Sequence, residues 1–365
     1  MDAYNKINVE LGSNRYMIHV GQNLFQLLPH LVRTGPANSQ IAIISVPPVS
    51  TLYLEKVRSA FDNSWQVYQL DIPDGEGSKS TIVLQEIYTW LIQNRLERNC
   101  TILSLGGGVV GDLAGYAAAT YLRGVNLIHI PTSLLAQVDS SIGGKVGINH
   151  RLGKNLIGSF YQPRAVVTDI TVIGTLAQEE FLCGVGEVIK YAVLNKNLFE
   201  YLEKNLNRLL IRDQSTLLQV IERCIKIKAR IVGADEKEQG IRANLNLGHT
   251  FGHALEKYYK FKILKHGQAV LLGLYCTLHI SQVLKQIKPD MVERIKNLLA
   301  QIPVTLPAGG KNFSPAKIVP LMQTDKKIRD GKINLILIQE IGRVIKYPLS
   351  DLKILLQSLE SLKSL

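Results

Sequence analysis

Three histidines lie close together, whereas the other five of the eight are scattered along the chain. The stretch from "LGHTFGHALE" to "LKHGQAV" contains His249, His253 and His266. His249 and His253 are four residues apart, so they share a face if the segment is helical. Imidazole nitrogens bind zinc, and a catalytic zinc site takes three protein ligands and keeps one position open. This spacing therefore predicts a metal centre, although a single helical histidine is more often an ordinary core or surface residue.

His266 could supply a third nitrogen, but if the site takes two histidines and one acid, the carboxylate must come from elsewhere in the chain. No glutamate stands between His249 and His253, as it does in the HExxH motif of zinc proteases, so the protease base is absent. Glu187 lies in "GVGEVIKYAVL", a strongly apolar segment in which an unpaired charge is costly. We therefore expect Glu187 to complete the metal site from a different element.

A glycine-rich stretch, "LSLGGGVVGDLAG", lies between a predicted strand and a predicted helix. Gly106, Gly108 and Gly111 fit the pattern GxGxxG, in which backbone N–H groups at a helix N-terminus bind a pyrophosphate. The acidic residue expected about 20 residues later is absent, so the strict dinucleotide fingerprint is not satisfied. The glycine motif is therefore either a nucleotide site or a tight strand-to-helix turn. The polar loop "PDGEGSK" is likewise either a binding loop or an ordinary connection between elements.

A polar connector, "QVDSSIGGKVGINHRLGKNLIGSF", lacks aliphatic periodicity. It holds five glycines, which we expect to exclude both helix and strand interiors. Asp139, Lys145, Asn149, Lys154 and Asn155 lie within it, and its lysines would suit a phosphate or a carboxylate. The alternative is a flexible, solvated loop.

The elements that must position these residues change in character near residue 175. Before it, strands are predicted at 41–46, 101–107, 126–131 and 165–170, and their nearly continuous apolar character favours a parallel sheet covered on both faces. "STIVLQEIYTWLIQNRL" between them has helical spacing. After it, Thr175 and Gln178 have the spacing of a capping box. Amphipathic segments follow: "GVGEVIKYAVL", "NLFEYLEKNLNRLLI", "STLLQVIERCIKIKARIV" and "DMVERIKNLLAQI".

We accordingly expect an α/β nucleotide-binding domain with a parallel-rich sheet over residues 1–178. A mainly α-helical metal- and substrate-binding domain is expected over 179–365, with the active site in the cleft between the two.

Composition narrows the class of protein. The net charge of +12 is dispersed over 365 residues, and no aromatic residues alternate with the basic ones, which disfavours nucleic-acid binding. Four separated cysteines are expected to be free and buried. No apolar run is long enough to span a membrane, and no secretory signal is evident, so a cytoplasmic location is expected.

Several motifs, taken in order, resemble the 3-dehydroquinate synthase family of sugar-phosphate cyclases over essentially the whole chain. They are "GGGVVGDLAGYAAATYLRG", "PTSLLAQVDSSIGGKVGINHRLGKNLIGSFYQP", "GEVIKYAV", "DEKEQGIRANLNLGHTFGHALE" and "HGQAV". The resemblance implies tightly bound NAD, one divalent metal (zinc, with cobalt as an alternative) and a homodimer.

The implied activity is that of a carbon–oxygen lyase of the shikimate pathway to aromatic amino acids. Such an enzyme converts 3-deoxy-D-arabino-heptulosonate 7-phosphate to 3-dehydroquinate and phosphate by transient NAD-dependent oxidation, phosphate elimination, re-reduction and aldol closure. The alternatives are another sugar-phosphate cyclase and a metal-dependent polyol or glycerol-phosphate dehydrogenase.

The resemblance also implies roles for individual residues. Metal ligands fall on Glu187, His249 and His266, and His253 becomes a proton carrier. Other catalytic positions are Asp139, Lys145, Lys190, Arg242 and Asn246, and substrate contacts are Asn155, Lys228, Lys327 and, from the neighbouring subunit, Arg123. NAD contacts fall on Asp74, Gly75, Glu76, Gly77, Ser78, Lys79, Gly108, Val109, Val110, Gly111, Asp112, Thr132, Ser133, Lys145, Lys154, Val172, Ile173, Gly174 and Thr175.

One position departs from the family pattern. The family has "HGEAV" where this chain has "HGQAV", so Gln268 replaces a glutamate. We expect Gln268 to orient His266 through a hydrogen bond, although an amide is a weaker partner than a carboxylate for a metal-bound imidazole.

Overall fold

The structure is a computed structural model and describes residues 4–12, 14–32, 40–310, 313–323, 328–329 and 332–365. The chain divides into two compact units. The first unit comprises Met1–Leu176 and Arg212–Lys237, and the second comprises Ala177–Ile211 and Glu238–Leu365.

The described elements are as follows in chain order. The strands are β1 Asn5–Leu11, β2 Asn14–Gly21, β3 Gln40–Ser45, β4 Gln66–Asp71, β5 Thr101–Gly106, β6 Asn126–Pro131, β7 Lys145–His150, β8 Gly153–Phe160, β9 Ala165–Asp169, β10 Ile328–Arg329, β11 Lys332–Glu340 and β12 Arg343–Leu349. The α-helices are α1 Leu28–Val32, α2 Pro47–Arg58, α3 Thr81–Gln93, α4 Gly108–Thr120, α5 Gln178–Leu194, α6 Lys196–Leu210, α7 Gln214–Ala234, α8 His249–Tyr258, α9 His266–Val283, α10 Pro289–Leu299, α11 Pro315–Gln323 and α12 Leu352–Glu360.

The first unit is built on a seven-stranded sheet of order β1-β2-β9-β6-β5-β3-β4. Only β1 runs antiparallel to its neighbour, and the other pairings are parallel. All residues of β5 and β9 are buried, as their apolar sequences predict for strands covered on both faces. The four strands predicted from the sequence are therefore confirmed as β3, β5, β6 and β9, and the parallel-rich sheet with them.

The polar connector does not form the expected loop. Its residues form β7 and β8, which pair as an antiparallel hairpin. Gly147 and Gly158 lie opposite each other, and a Cβ on either would approach a backbone oxygen of the facing strand to 2.4 or 2.3 Å. The two backbones approach each other so closely that only glycine fits. Glycines weaken an isolated strand, but here they permit the pairing.

Helix α7 packs with the first unit, although the sequence placed residues 179–365 in a single second domain. It contacts β1, and a Cβ on Gly233 would lie 2.7 Å from the carbonyl oxygen of Glu10. The apolar stripe of α7 is equally suited to a sheet or to other helices, so periodicity alone did not identify its partner.

The expected capping box at the start of α5 does not form. Ala177 is the N-cap residue of this helix and provides no side-chain cap. Thr175 ends a 3₁₀ turn, Ile170–Thr175, and its hydroxyl hydrogen-bonds to the hydroxyl of Tyr53 instead. The spacing was correct for a cap, but a tertiary contact uses the side chain.

The second unit contains most of the predicted helices, which are confirmed as α5, α6 and α10. It also holds a three-stranded antiparallel sheet, β10-β11-β12, that the sequence reading missed. The four cysteines are free and buried, as expected. Among the described residues, no helix has both the length and the apolar character that crossing a membrane requires.

Candidate metal and nucleotide sites

A glutamate and two histidines converge within the second unit. Glu187 lies on α5, and His249 and His266 are the first residues of α8 and α9. The Nε2 atoms of the two histidines lie 3.5 and 3.6 Å from Oε1 of Glu187, whose side chain is fully buried. The three residues predicted as metal ligands are thus brought together from three helices.

The distances in this cluster match those of a bound zinc ion. Ligand atoms on a tetrahedral zinc, at bonds of about 2.1 Å, lie about 3.4 Å apart. The three donor atoms of Glu187, His249 and His266 all lie within 4.8 Å of one another. Two nitrogens and one carboxylate oxygen are the donor set of catalytic zinc sites, in which water or substrate takes the fourth position.

The protonation of the two histidines differs. Burial holds the pKa of His249 well below its ordinary value. Its Nδ1–H donates a hydrogen bond to the carbonyl oxygen of Leu247 at 3.1 Å, which leaves Nε2 without a proton and able to bind a metal ion. Burial also lowers the pKa of His266, but hydrogen bonds to Glu187 and Glu256 outweigh it and raise the pKa to about 10. A metal ion at this site would therefore displace a proton from His266.

Glycines beside the ligands allow these helices to approach closely. A Cβ on Gly267 would lie 1.7 Å from the carbonyl oxygen of Cys183, and one on Gly186 would lie 2.2 Å from that of Gly267. Helices α8 and α9 meet in the same way, because a Cβ on Gly273 would lie 2.0 Å from the carbonyl oxygen of Gly248. The sequence reading missed these contacts, although a glycine adjoins each ligand in "GVGE", "LGH" and "HGQ".

A second set of possible ligands overlaps the first. His253, Glu256 and His266 also offer donor atoms within 4.8 Å of one another. Oε2 of Glu256 lies 3.3 Å from Nδ1 of His266, which is the ring nitrogen opposite the one facing Glu187. A single ion held by Nε2 therefore favours the first set. Glu256 was not identified from the sequence.

Other catalytic candidates of the second unit surround this cluster or lie shortly before α8 in the chain. Lys190 forms a buried ion pair with Glu187, and the His253 ring centroid lies 5.4 Å from that of His249. Arg242 is almost fully buried in a 3₁₀ turn that ends at Asn246. The Asn246 amide donates to a carboxylate oxygen of Glu238 at 2.7 Å, another contact that the sequence did not suggest.

The nucleotide candidates of the first unit share one edge of its sheet. The segments 74–79, 108–112, 132–133 and 172–175 follow the carboxyl ends of β4, β5, β6 and β9, which are parallel strands. Ligands of open α/β sheets bind at this edge. The turn into α4 requires Gly106, because a Cβ there would lie 2.5 Å from Val110. The predicted strand–turn–helix context of the glycine motif is confirmed.

Lys79 connects two of these segments with the β7–β8 hairpin. Its buried ammonium group lies 2.6 Å from Oδ2 of Asp112 and also donates to Oδ1 of Asn155. Burial raises the pKa of Asp112, and the nearby Lys79 charge opposes that shift. The Asn149 amide donates to Glu76 at 2.8 Å. Residues distant in sequence thereby form one polar network.

The remaining predicted residues have mixed outcomes. Lys228 on α7 donates to the backbone oxygen of Asp139 at 2.6 Å and to its carboxylate at 2.9 Å, both within the first unit. Lys145 and Lys154 lie on β7 and β8. Arg123 is exposed in a turn with φ of 64°, and Lys327 lies outside the described residues.

Comparison with known proteins gives a consistent result. A family model described as 3-dehydroquinate synthase N-terminal matches residues 69–183, and one described as 3-dehydroquinate synthase C-terminal matches residues 184–328. A curated 3-dehydroquinate synthase of Nitrosomonas europaea is 44% identical over 353 residues, which cover 94% of each chain.

Solved structures extend the likeness of fold. A 2-deoxy-scyllo-inosose synthase complexed with carbaglucose-6-phosphate, NAD⁺ and Co²⁺ matches with a TM-score of 0.89 at 23% identity, covering 98% of this chain and 100% of that one. A glycerol dehydrogenase of Schizosaccharomyces pombe matches with a TM-score of 0.70 at 16% identity, covering 99% of this chain and 91% of that one.

Proposed function

The chain belongs to the 3-dehydroquinate synthase family, and from that premise we propose that it converts 3-deoxy-D-arabino-heptulosonate 7-phosphate to 3-dehydroquinate and phosphate. The observation that carries the proposal is the convergence of Glu187, His249 and His266 within a chain that is 44% identical to a curated member. The carbon–oxygen lyase class, the homodimer and the cytoplasmic location are parts of the same proposal.

Each unit supplies residues suited to one bound group. Glu187, His249 and His266 would hold a zinc or cobalt ion, and the segments at the carboxyl edge of the sheet would hold NAD. When bound, NAD supplies a reversible hydride acceptor, and the metal supplies a Lewis acid for a hydroxyl or ketone oxygen.

The protein's own side chains would bind and orient the substrate. Lys190 and Arg242 are buried cations of the second unit, and Lys228 is a buried cation of the first; such cations suit phosphate and carboxylate groups. Lys228 is already fixed by Asp139, so its ammonium group needs little reorganisation on binding. His253 lies beside two ligand rings without joining the favoured ligand set, and we assign it the role of proton carrier.

The test combines product analysis with metal analysis. Purified protein, given the heptulosonate phosphate and catalytic NAD, should release equal amounts of dehydroquinate and phosphate without net NADH. Glu187→Gln and His249→Ala should lose bound metal and at least 100-fold in kcat, on the order expected when a metal's contribution is removed, while retaining wild-type circular dichroism. Lys204→Met, a change at an exposed residue of α6, is the control.

Two outcomes would favour other activities. Net NADH formation from a polyol would indicate a dehydrogenase, the function named for the Schizosaccharomyces pombe protein. Turnover of a different sugar phosphate, with none of the heptulosonate, would indicate another cyclase. Full activity and full metal content in both ligand variants would contradict the proposed ligand set.

A further inference from the structure

His266 is the most exposed of the three metal-ligand candidates. It is the first residue of α9, and 32% of its side chain is exposed, against 12% for His249 and 0% for Glu187. An imidazole that binds a metal through one nitrogen is held in orientation by a hydrogen bond at the other. For His249 the partner is the carbonyl oxygen of Leu247. His266 needs a partner of its own.

Gln268, the expected partner, is used elsewhere. Its side-chain oxygen accepts a hydrogen bond from the backbone N–H of Lys265 at 3.1 Å, which caps the N-terminus of α9. A capping role satisfies one of the backbone groups that a helix end leaves open. The expectation that Gln268 orients His266 is therefore wrong in this structure.

Glu256 occupies the position that Gln268 does not. It is buried on α8, seven residues after His249, so two helical turns place both side chains on one face. Its Oε2 lies 3.3 Å from Nδ1 of His266, while Nε2 of the same ring faces Glu187. Helix α8 approaches α9 closely there, because a Cβ on Gly252 would lie 3.2 Å from the backbone of Ala269.

We propose that Glu256 is the positioning residue of the metal site: its carboxylate accepts the Nδ1–H of His266 and thereby directs Nε2 toward the ion. The inference rests on the proposed function, since it takes Glu187, His249 and His266 as the ligands. Helix α8 then contributes one ligand at its first residue and the support of another ligand two turns later. Carboxylate support also increases the basicity of the ligating nitrogen.

A second metal ion held by His253, Glu256 and His266 is the competing interpretation. It would require both ring nitrogens of His266 to bind metal, and hence an imidazole that has lost both N–H protons. The two interpretations differ in stoichiometry, because the positioning role requires one ion per chain and the competing one requires two.

The experiment measures metal affinity rather than activity. Metal-free protein is titrated with Zn²⁺ in competition with a chromophoric chelator, and the Co²⁺ absorption spectrum is recorded. Wild type should bind one ion per chain. Glu256→Gln should still bind one ion, 10- to 100-fold more weakly, with an altered Co²⁺ spectrum. Gln268→Ala should lower the melting temperature but leave the metal affinity unchanged.

Further variants separate this inference from the proposed function. Glu187→Gln should abolish binding, and wild-type affinity in that variant would contradict the ligand set whatever Glu256→Gln does. Equal affinity in Glu256→Gln and wild type, an equal loss in Gln268→Ala, or two ions per wild-type chain would each overturn the positioning role.

A direct measurement covers the case in which Glu256→Gln fails to fold. In zinc-loaded wild type, long-range ¹H–¹⁵N spectra should show His266 protonated at Nδ1 and not at Nε2. The opposite tautomer would exclude Glu256 as the acceptor.

Discussion

At the scale of single residues, the sites depend on buried charges held by partners from distant parts of the chain. Glu187 is an acid in an apolar helix, and Lys190 and the two histidines surround it. Lys79 is a buried cation between Asp112 and Asn155. Removing one partner leaves the charge of the other buried and unpaired. Substitutions at these residues should therefore weaken ligand binding and lower the free energy of unfolding together.

The first prediction concerns Lys79. Lys79→Met removes the ammonium group and leaves the Asp112 carboxylate and the Asn155 amide without their donor. We expect NAD affinity to fall at least 10-fold and the free energy of unfolding to fall by about 1–3 kcal/mol, the cost of leaving buried polar groups unsatisfied. Titration calorimetry with NAD and urea unfolding measure the two effects. Unchanged NAD affinity would remove Lys79 from the proposed nucleotide site.

The second prediction concerns pH. His129 is buried beneath the glycine-rich turn, hydrogen-bonded to Ser104, and burial lowers its pKa to about 4. Because its folded pKa lies below the unfolded value, the unfolded state binds the proton first as pH falls from 6.5 toward 4, and stability is lost in that window. The loss from this group should be about 2 kcal/mol between pH 7 and pH 5.

Urea unfolding at the two pH values measures the effect. His129→Asn should remove this share of the pH dependence, while His30→Asn, a change at an exposed histidine, should keep it. His19, whose pKa burial also lowers to about 4, should account for part of what remains. An identical pH dependence in His129→Asn and wild type would contradict the assignment.

At the scale of elements, glycines determine how closely the ligand-bearing helices approach. Gly186 and Gly267 lie at the contact between α5 and α9, immediately beside Glu187 and His266. Gly248, at φ of 76°, precedes His249 and contacts α9. The contact between helices and the position of the ligands are therefore set by the same residues.

The third prediction tests this with graded substitutions. Gly267→Ala places a Cβ 1.7 Å from the carbonyl oxygen of Cys183, so α5 and α9 must separate. We expect a loss of about 3 kcal/mol in stability, the upper range for overpacking, together with loss of metal. Gly252→Ala, whose Cβ would lie 3.2 Å from Ala269, should cost about 1 kcal/mol and retain metal. Urea unfolding and metal analysis measure the two effects. Equal losses of stability and of metal in the two variants would contradict the conclusion that these glycines set the spacing of the helices.

At the scale of the whole molecule, the chain passes from one unit to the other three times. Helix α7 belongs to the first unit, although it follows α5 and α6 of the second unit in sequence. Its buried apolar face packs on the first unit and includes Leu217, Val220, Ile221, Cys224, Ile225 and Val232. Neither unit is therefore a continuous segment of sequence.

The fourth prediction follows from this connectivity. A fragment of residues 1–176 lacks α7 and should expose the surface that the helix covers, so we expect aggregation or a broad thermal transition. A fragment that joins residues 1–176 to 212–237 through a flexible Gly/Ser linker should unfold cooperatively. Circular dichroism melts compare the two, and equally cooperative melts would contradict the division into units.

Local patterns in the sequence determined much of this protein. Continuous apolar runs predicted the parallel strands because a strand covered on both faces has no polar side. The rarity of three nearby histidines and an acid in an apolar segment predicted a metal centre with Glu187 as its candidate acid, because buried charge requires a partner; the choice of His249 and His266 over His253 came from the family resemblance. The glycine pattern predicted the strand–turn–helix context, since backbone geometry there is local.

Only the tertiary structure decided which distant groups meet. The hairpin β7–β8 forms although glycine-rich strands are weak alone, because Gly147 and Gly158 let the two backbones approach more closely than a side chain at either position would allow. Helix α7 joins the first unit because an apolar stripe does not specify its partner. Glu256 rather than Gln268 faces His266, because the approach of α8 to α9 is set by packing at glycines, which no periodicity in either helix encodes.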